Sequence, residues 1–95
     1  MEIMKHSYRK RGTVEFIFNK FPQSKVIFYP IKNYYFIRTV KWHSEDPIVT
    51  RVDLEEMELL SNELLGTIEF YKQRKNYKEW SGFFMGEATI ILMRG

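Results

Sequence analysis

The densest run of reactive side chains is His43-Ser44-Glu45-Asp46: an imidazole, a hydroxyl and two carboxylates in four consecutive positions. Such groups can ligate a divalent cation or pass a proton. Their spacing argues against both roles. A structural zinc site separates its ligands so that the chain can fold back onto the ion, and one His beside two loop carboxylates has no such separation. The sequence holds two His and no Cys, so thiolate chemistry is excluded and neither a metal nor a cofactor is expected. Ser7, Ser24, Ser44, Ser61 and Ser81 carry no nucleophile signature. There is no P-loop and no dinucleotide fingerprint, and Gly82 and Gly86 are spaced like turn residues. Glu55 and Glu56 fall on a solvent face, where nothing raises their pKa towards a proton-transfer role. The expectation is a chain that is not an enzyme.

A second constellation is cationic and aromatic. Lys5, Arg9, Lys10 and Arg11 crowd the first eleven residues, and Lys25, Arg38, Lys41 and Trp42 come later among Tyr29, Tyr34, Tyr35 and Phe36. Cations neutralise phosphates and aromatic rings stack on bases, so these eight residues from Lys5 to Trp42 are the candidate nucleic-acid contacts. The glycine-aromatic octapeptide of RNA-recognition domains is absent. Charge is segregated along the chain: residues 1–42 carry +7, residues 43–69 carry −7, and residues 70–95 carry +3, for a net charge of +3. The acidic run from Glu45 to Glu69 could imitate a row of phosphates. The plainer reading of all three blocks is solvated surface.

The elements that position these groups can be read from periodicity. Asp53–Lys75 reads as one long amphipathic helix, with Leu54, Met57, Leu60, Leu64, Leu65, Ile68 and Tyr71 in a stripe about 140° wide. Asp53 is the expected cap, with Glu56 three residues on. Glu58, Asn62 and Glu63 fall outside the stripe. Gly66 is the weak point, either tolerated within the helix or ending it ahead of a strand from Thr67; the register of Ile68 and Tyr71 favours the unbroken helix. Thr13–Asn19 alternates as a strand, Lys20–Ser24 is a turn in which Pro22 stops the ladder, and Lys25–Tyr29 is a second strand. Pro30–Asn33 turns the chain into a third strand, Tyr34–Trp42. A last strand, Ala88–Arg94, is apolar on both faces.

The fold class predicted is α+β in two layers, an antiparallel meander (βββαβ) on one long helix, in a single domain spanning residues 1–95. Residues 1–11 fit either an additional N-terminal strand or a basic arm. The last strand is expected beside Thr13–Asn19, parallel to it, through a right-handed crossover.

This arrangement leaves apolar surplus. Ile17, Ile27, Tyr29, Tyr35 and Ile37 face away from the helix, and Leu59 and Phe70 lie about 20° apart on a second helical line that Gly66 and Tyr77 extend. Leu59, Gly66, Phe70, Tyr77 and Trp80 are therefore the candidate partner or dimer interface. The first reading is a small interaction protein, a homodimer that binds a further, unidentified protein as adaptor or inhibitor, of the kind a virus or mobile element encodes. The alternative is a nucleic-acid-binding module built on the basic, aromatic N-terminal half. No stretch reaches transmembrane length and the start of the chain lacks a signal-peptide core, so no membrane is expected and the cytoplasm is the expected compartment.

Overall fold

The computed structural model describes residues 1–78 and 91–94. Its centre is a five-stranded sheet in sequential order: β1 (Ile3–Tyr8), β2 (Val14–Phe18), β3 (Phe21–Ile31), β4 (Tyr34–Trp42) and β5 (Ile91–Arg94). The first four strands are antiparallel neighbours, and β5 runs parallel to β4. Between β4 and β5 come two helices, α1 (Arg51–Leu64) and α2 (Ile68–Lys78). The α+β class holds.

The strands obey their side-chain alternation. Val14, Phe16 and Phe18 turn inward with Val26, Phe28, Ile37 and Val40, and Leu54 and Met57 of α1 pack on the same cluster. Residues 1–11 supply a strand, and that placement decides the topology. With β1 on one side and β3 on the other, β2 has no edge left for the last strand. β5 pairs with β4 instead, Thr39 opposite Ile91 and Trp42 opposite Arg94. Residues 88–90 of the expected last strand lie outside the described residues.

Pro22 does not stop a strand. The turn is Asn19-Lys20, and β3 begins at Phe21, opposite Phe18. Pro22 is tolerated because it falls in a register break, between the Phe18–Phe21 and Phe16–Val26 partners, where no residue of β2 is paired with it. β4 carries a bulge. Ile27 faces Thr39 while Phe28 faces Ile37, so Arg38 is the additional residue. The bulge shifts the alternation by one and turns both Ile37 and Val40 to the core.

The helical segment differs from one long helix in three ways. The cap is Thr50, not Asp53. Thr50 Oγ1 accepts from the Asp53 amide at 3.1 Å, and the Asp53 carboxylate accepts from the Thr50 amide at 3.0 Å, a reciprocal capping box with Asp in the place of Glu. The helix then breaks at Gly66, whose φ is +79. The Thr67 amide donates to the Asn62 carbonyl at 2.8 Å and the Gly66 amide to Glu63 at 3.2 Å, a glycine-terminated C-cap. Beyond Gly66 the chain forms a second helix, neither a continuation nor a strand. Finally, Leu64 of the expected core stripe is exposed, while Glu58, Ser61 and Asn62 are buried.

That inversion has a structural cause. The edge of β4 is shared by two partners. β5 takes Thr39–Trp42, and the preceding residues meet α1. Asn62 Oδ1 accepts from the Tyr35 amide at 2.8 Å, and its Nδ2 donates to the Tyr35 carbonyl at 2.9 Å. Glu58 Oε2 accepts from the Ile37 amide at 2.7 Å, and Glu58 Oε1 accepts from the buried Tyr71 hydroxyl of α2 at 2.8 Å. Two side chains one helical turn apart thus stand in for the strand that would otherwise satisfy this backbone.

Candidate nucleic-acid interface

The two faces of the sheet differ in chemistry. One is the apolar core. The other carries polar and charged side chains, Lys5, Ser7, Glu15, Lys25, Thr39 and Lys41, among apolar ones, Ile17, Ile27, Tyr29 and Phe36, of which Ile27 and Phe36 are buried. Lys25 and Lys41 are both exposed and stand directly opposite each other on neighbouring antiparallel strands. Like charges at such a pair are destabilising, because opposed Cβ atoms lie only about 5 Å apart. Neither lysine enters an ion pair among the described residues.

The loop from β1 to β2 brings in three more cations. It is a tight 3-10 turn, with the Arg9 amide donating to the Thr13 carbonyl at 2.7 Å and the Thr13 hydroxyl donating to the Lys10 carbonyl at 2.9 Å. Closing it so tightly places Arg11 at φ 62 and Gly12 at φ 74, both in the left-handed region. Glycine adopts that geometry freely, whereas a side chain such as that of Arg11 does so at a cost of order 1 kcal/mol. A Cβ at Gly12 would lie 3.6 Å from Pro30 Cγ, so the loop rests against the end of β3. Beside it lies a cleft of about 710 Å³. Arg9, Lys10, Arg11 and Thr13 form one wall, and Ile27, Tyr29, Thr39 and Lys41 form the floor and the far rim.

Two of the cations are held in place. Arg9 pairs with Glu15 on the same face. The Arg38 guanidinium lies 5.0 Å from the centre of the Tyr29 ring, a cation–π contact that the bulge makes geometrically available. Lys10, Arg11 and Lys41 enter no ion pair among the described residues.

Seven of the eight candidate nucleic-acid residues therefore lie on this face or its loop, with Lys5 at the far edge on β1. Trp42 is not brought there. It packs against the core, and its indole nitrogen donates to the Pro47 carbonyl at 2.8 Å. The residue that sequence reasoning passed over is Thr13, whose hydroxyl closes the loop. Its signal was the position after Gly12, where a short polar side chain can bond back onto the turn.

The candidate partner surface is dispersed. The break at Gly66 puts Leu59 and Phe70 on different helices, so the second helical line does not exist as one feature. Leu59 is half-buried, and Phe70 is exposed. Tyr77 is placed only as a position in α2, and Trp80 lies outside the described residues. The apolar surplus on the second sheet face also shrinks. Ile37 turns to the core, Tyr35 packs against it, and Ile27 is buried, which leaves Tyr29 as the exposed aromatic.

The acidic run does not form a row of phosphate-like charges. Asp46 is buried and accepts from Ser24 Oγ at 2.6 Å and the Gln23 amide at 3.0 Å. Glu58 is buried at the edge of β4. Asp53 is buried too. Burial by itself pushes its carboxyl up, but the Lys20 ammonium at 2.8 Å and the Thr50 donors outweigh that and hold it below the usual range. Among the described residues, no three His, Asp or Glu are grouped to hold a metal ion. His43 Nδ1 accepts from the Glu45 amide at 3.1 Å, a turn contact. No described helix is long and apolar enough to cross a membrane.

Residues 2–76 match the family described as Uncharacterised protein YuzH. The chain belongs to that family. The matched stretch contains the whole cationic face, the loop of Arg9 to Thr13, and both partners of the Glu58–Tyr71 hydrogen bond. No curated protein and no solved structure matches the chain.

Proposed function

We propose that this chain is a nucleic-acid-binding module that holds a polynucleotide backbone against the open face of its sheet. The observation that carries the reading is the Lys25–Lys41 pair, two exposed lysines at directly opposed strand positions, neither in an ion pair among the described residues. A bound phosphate relieves that repulsion and turns an unfavourable contact into a binding determinant. Arg9, Lys10 and Arg11 continue the positive potential past the end of the strands. The module binds without catalysing a reaction.

The test is the affinity for a labelled oligonucleotide, by fluorescence anisotropy, across a series of salt concentrations. Affinity should fall steeply with salt. Lys25→Ala and Lys41→Ala should each weaken binding and flatten the logarithmic salt slope by about 1. Absence of binding at low salt, or slopes that neither variant changes, would sink the proposal.

A second reading is self-association of the chain, with an adaptor or inhibitor role towards another protein. Its support is the exposure of Leu64 and Phe70, each 46% accessible. Sedimentation over a range of concentrations checks it: a dimer that Phe70→Ser dissociates supports the reading, and a strict monomer removes it.

A further inference from the structure

The shape of the open face says more than its charge. A featureless basic surface would serve a duplex or a single strand equally. This face has a concave cleft at one end, walled by the β1–β2 loop and floored by Tyr29 and Ile27. The cleft is shallow and open to solvent, with a volume of about 710 Å³.

We propose that the cleft seats a single unstacked nucleotide of a single-stranded nucleic acid, with the base on Tyr29 and the adjoining phosphate between Lys10, Arg11 and Lys41. This assignment rests on the nucleic-acid reading and deepens it. Three observations carry it. Tyr29 is 38% exposed and lines the cleft, while the Arg38 guanidinium lies over its ring, 5.0 Å from the centroid, and does not line the cleft. The ring face that Arg38 does not cover is the one offered to a base. Arg11 sits at φ 62, in the left-handed region, and the tight turn that holds it there brings the residue to the lining of the cleft. Finally, Lys10, Arg11 and Lys41 enter no ion pair among the described residues, while Arg9, on the same wall, is tied to Glu15.

A duplex satisfies none of this beyond charge. Its bases are stacked inside the helix and present no face to Tyr29, whereas splayed bases of a single strand do. The occupant is therefore a nucleotide within a strand, whose next phosphate runs on to Lys25, opposite Lys41.

The experiment compares three probes with the full chain: a labelled single-stranded RNA, the same sequence as a duplex, and a free mononucleotide as competitor. The single strand should bind at least about ten-fold more tightly than the duplex. Tyr29→Ala should lower single-strand affinity roughly ten-fold while leaving the salt slope unchanged, because stacking releases no counterions. Tyr29→Phe should bind like the wild type, which separates stacking from a hydroxyl contact and serves as the folded control. Equal affinity for single strand and duplex, with Tyr29→Ala without effect, would overturn the cleft assignment and leave the basic face standing. A mononucleotide that competes as well as the strand would overturn the strand as occupant. Failure of every probe to bind would overturn both readings.

Discussion

Asp53 combines two roles in one carboxylate. One oxygen accepts from Thr50, closing the start of α1, and the other accepts from Lys20 at the β2–β3 turn. The first contact sets where the helix begins, and the second ties that beginning to the sheet. Its pKa is lowered from 3.8 on folding, so ionised Asp53 favours the folded state. The stability it contributes is complete above its unfolded pKa and is lost as pH falls through the lower folded value. Asp53→Asn should therefore cost about 1 kcal/mol at neutral pH, and the difference from wild type should shrink below pH 3.8. Urea unfolding across a pH series measures this. Asn62 is a different case, since all four of its amide bonds are internal: Tyr35 N and O, the Glu58 carbonyl and the Thr67 hydroxyl. Asn62→Ala strands the amide and carbonyl of Tyr35 and should cost roughly 2–3 kcal/mol. A shift in the urea midpoint with an unchanged slope would register that loss. In the sequence Asp53 was legible as a helix-start residue, though as the cap itself, while its tie to Lys20 and the inward role of Asn62 were not. Periodicity sorts residues by hydrophobicity, and a helix that serves a strand edge needs polar side chains on its buried side.

At the scale of elements, the alternation of Val14, Phe16 and Phe18 gave β2 its inward face without ambiguity, because each residue type matches its burial. The β4 alternation failed at Arg38, because a bulge changes the phase without any marker in the residue types. That one residue moved Ile37 to the core, whereas Trp42, next to outward-facing Lys41, lies on the core side by ordinary alternation. The long helix failed at Gly66 for a related reason. Ile68 and Tyr71 continue the α1 stripe by count, but they reach the protein interior through a separate helix. The two geometries predict opposite signs for Gly66→Ala. In an unbroken helix, alanine would stabilise by about 1 kcal/mol. At φ +79 it should destabilise by about 1 kcal/mol. No heavy atom lies within 4 Å of the added Cβ, so backbone strain alone sets the result. Thermal unfolding of this variant decides between the two.

At the scale of the whole molecule, the sheet separates two kinds of surface. Its inner face and the two helices hold the core, together with most of the buried acids. Its outer face gathers cations that the sequence scatters from Lys5 to Lys41. The positive charge of residues 1–42 was plain from composition, but its gathering on one face was not, because it depends on register between three hairpins. The cleft was less legible still: it needs the β1–β2 loop to lie over β3, a contact between Gly12 and Pro30. The central claim is that this outer face, and not the helical side, meets a nucleic-acid strand. The most direct measurement is a titration of the isotope-labelled chain with a short single-stranded oligonucleotide, monitored by amide chemical shifts. The account predicts shifts concentrated at Arg9–Thr13, Lys25–Tyr29 and Arg38–Lys41, with Leu54–Ser61 of α1 unmoved. Shifts confined to α1 and α2, or no shifts at low salt, would contradict it.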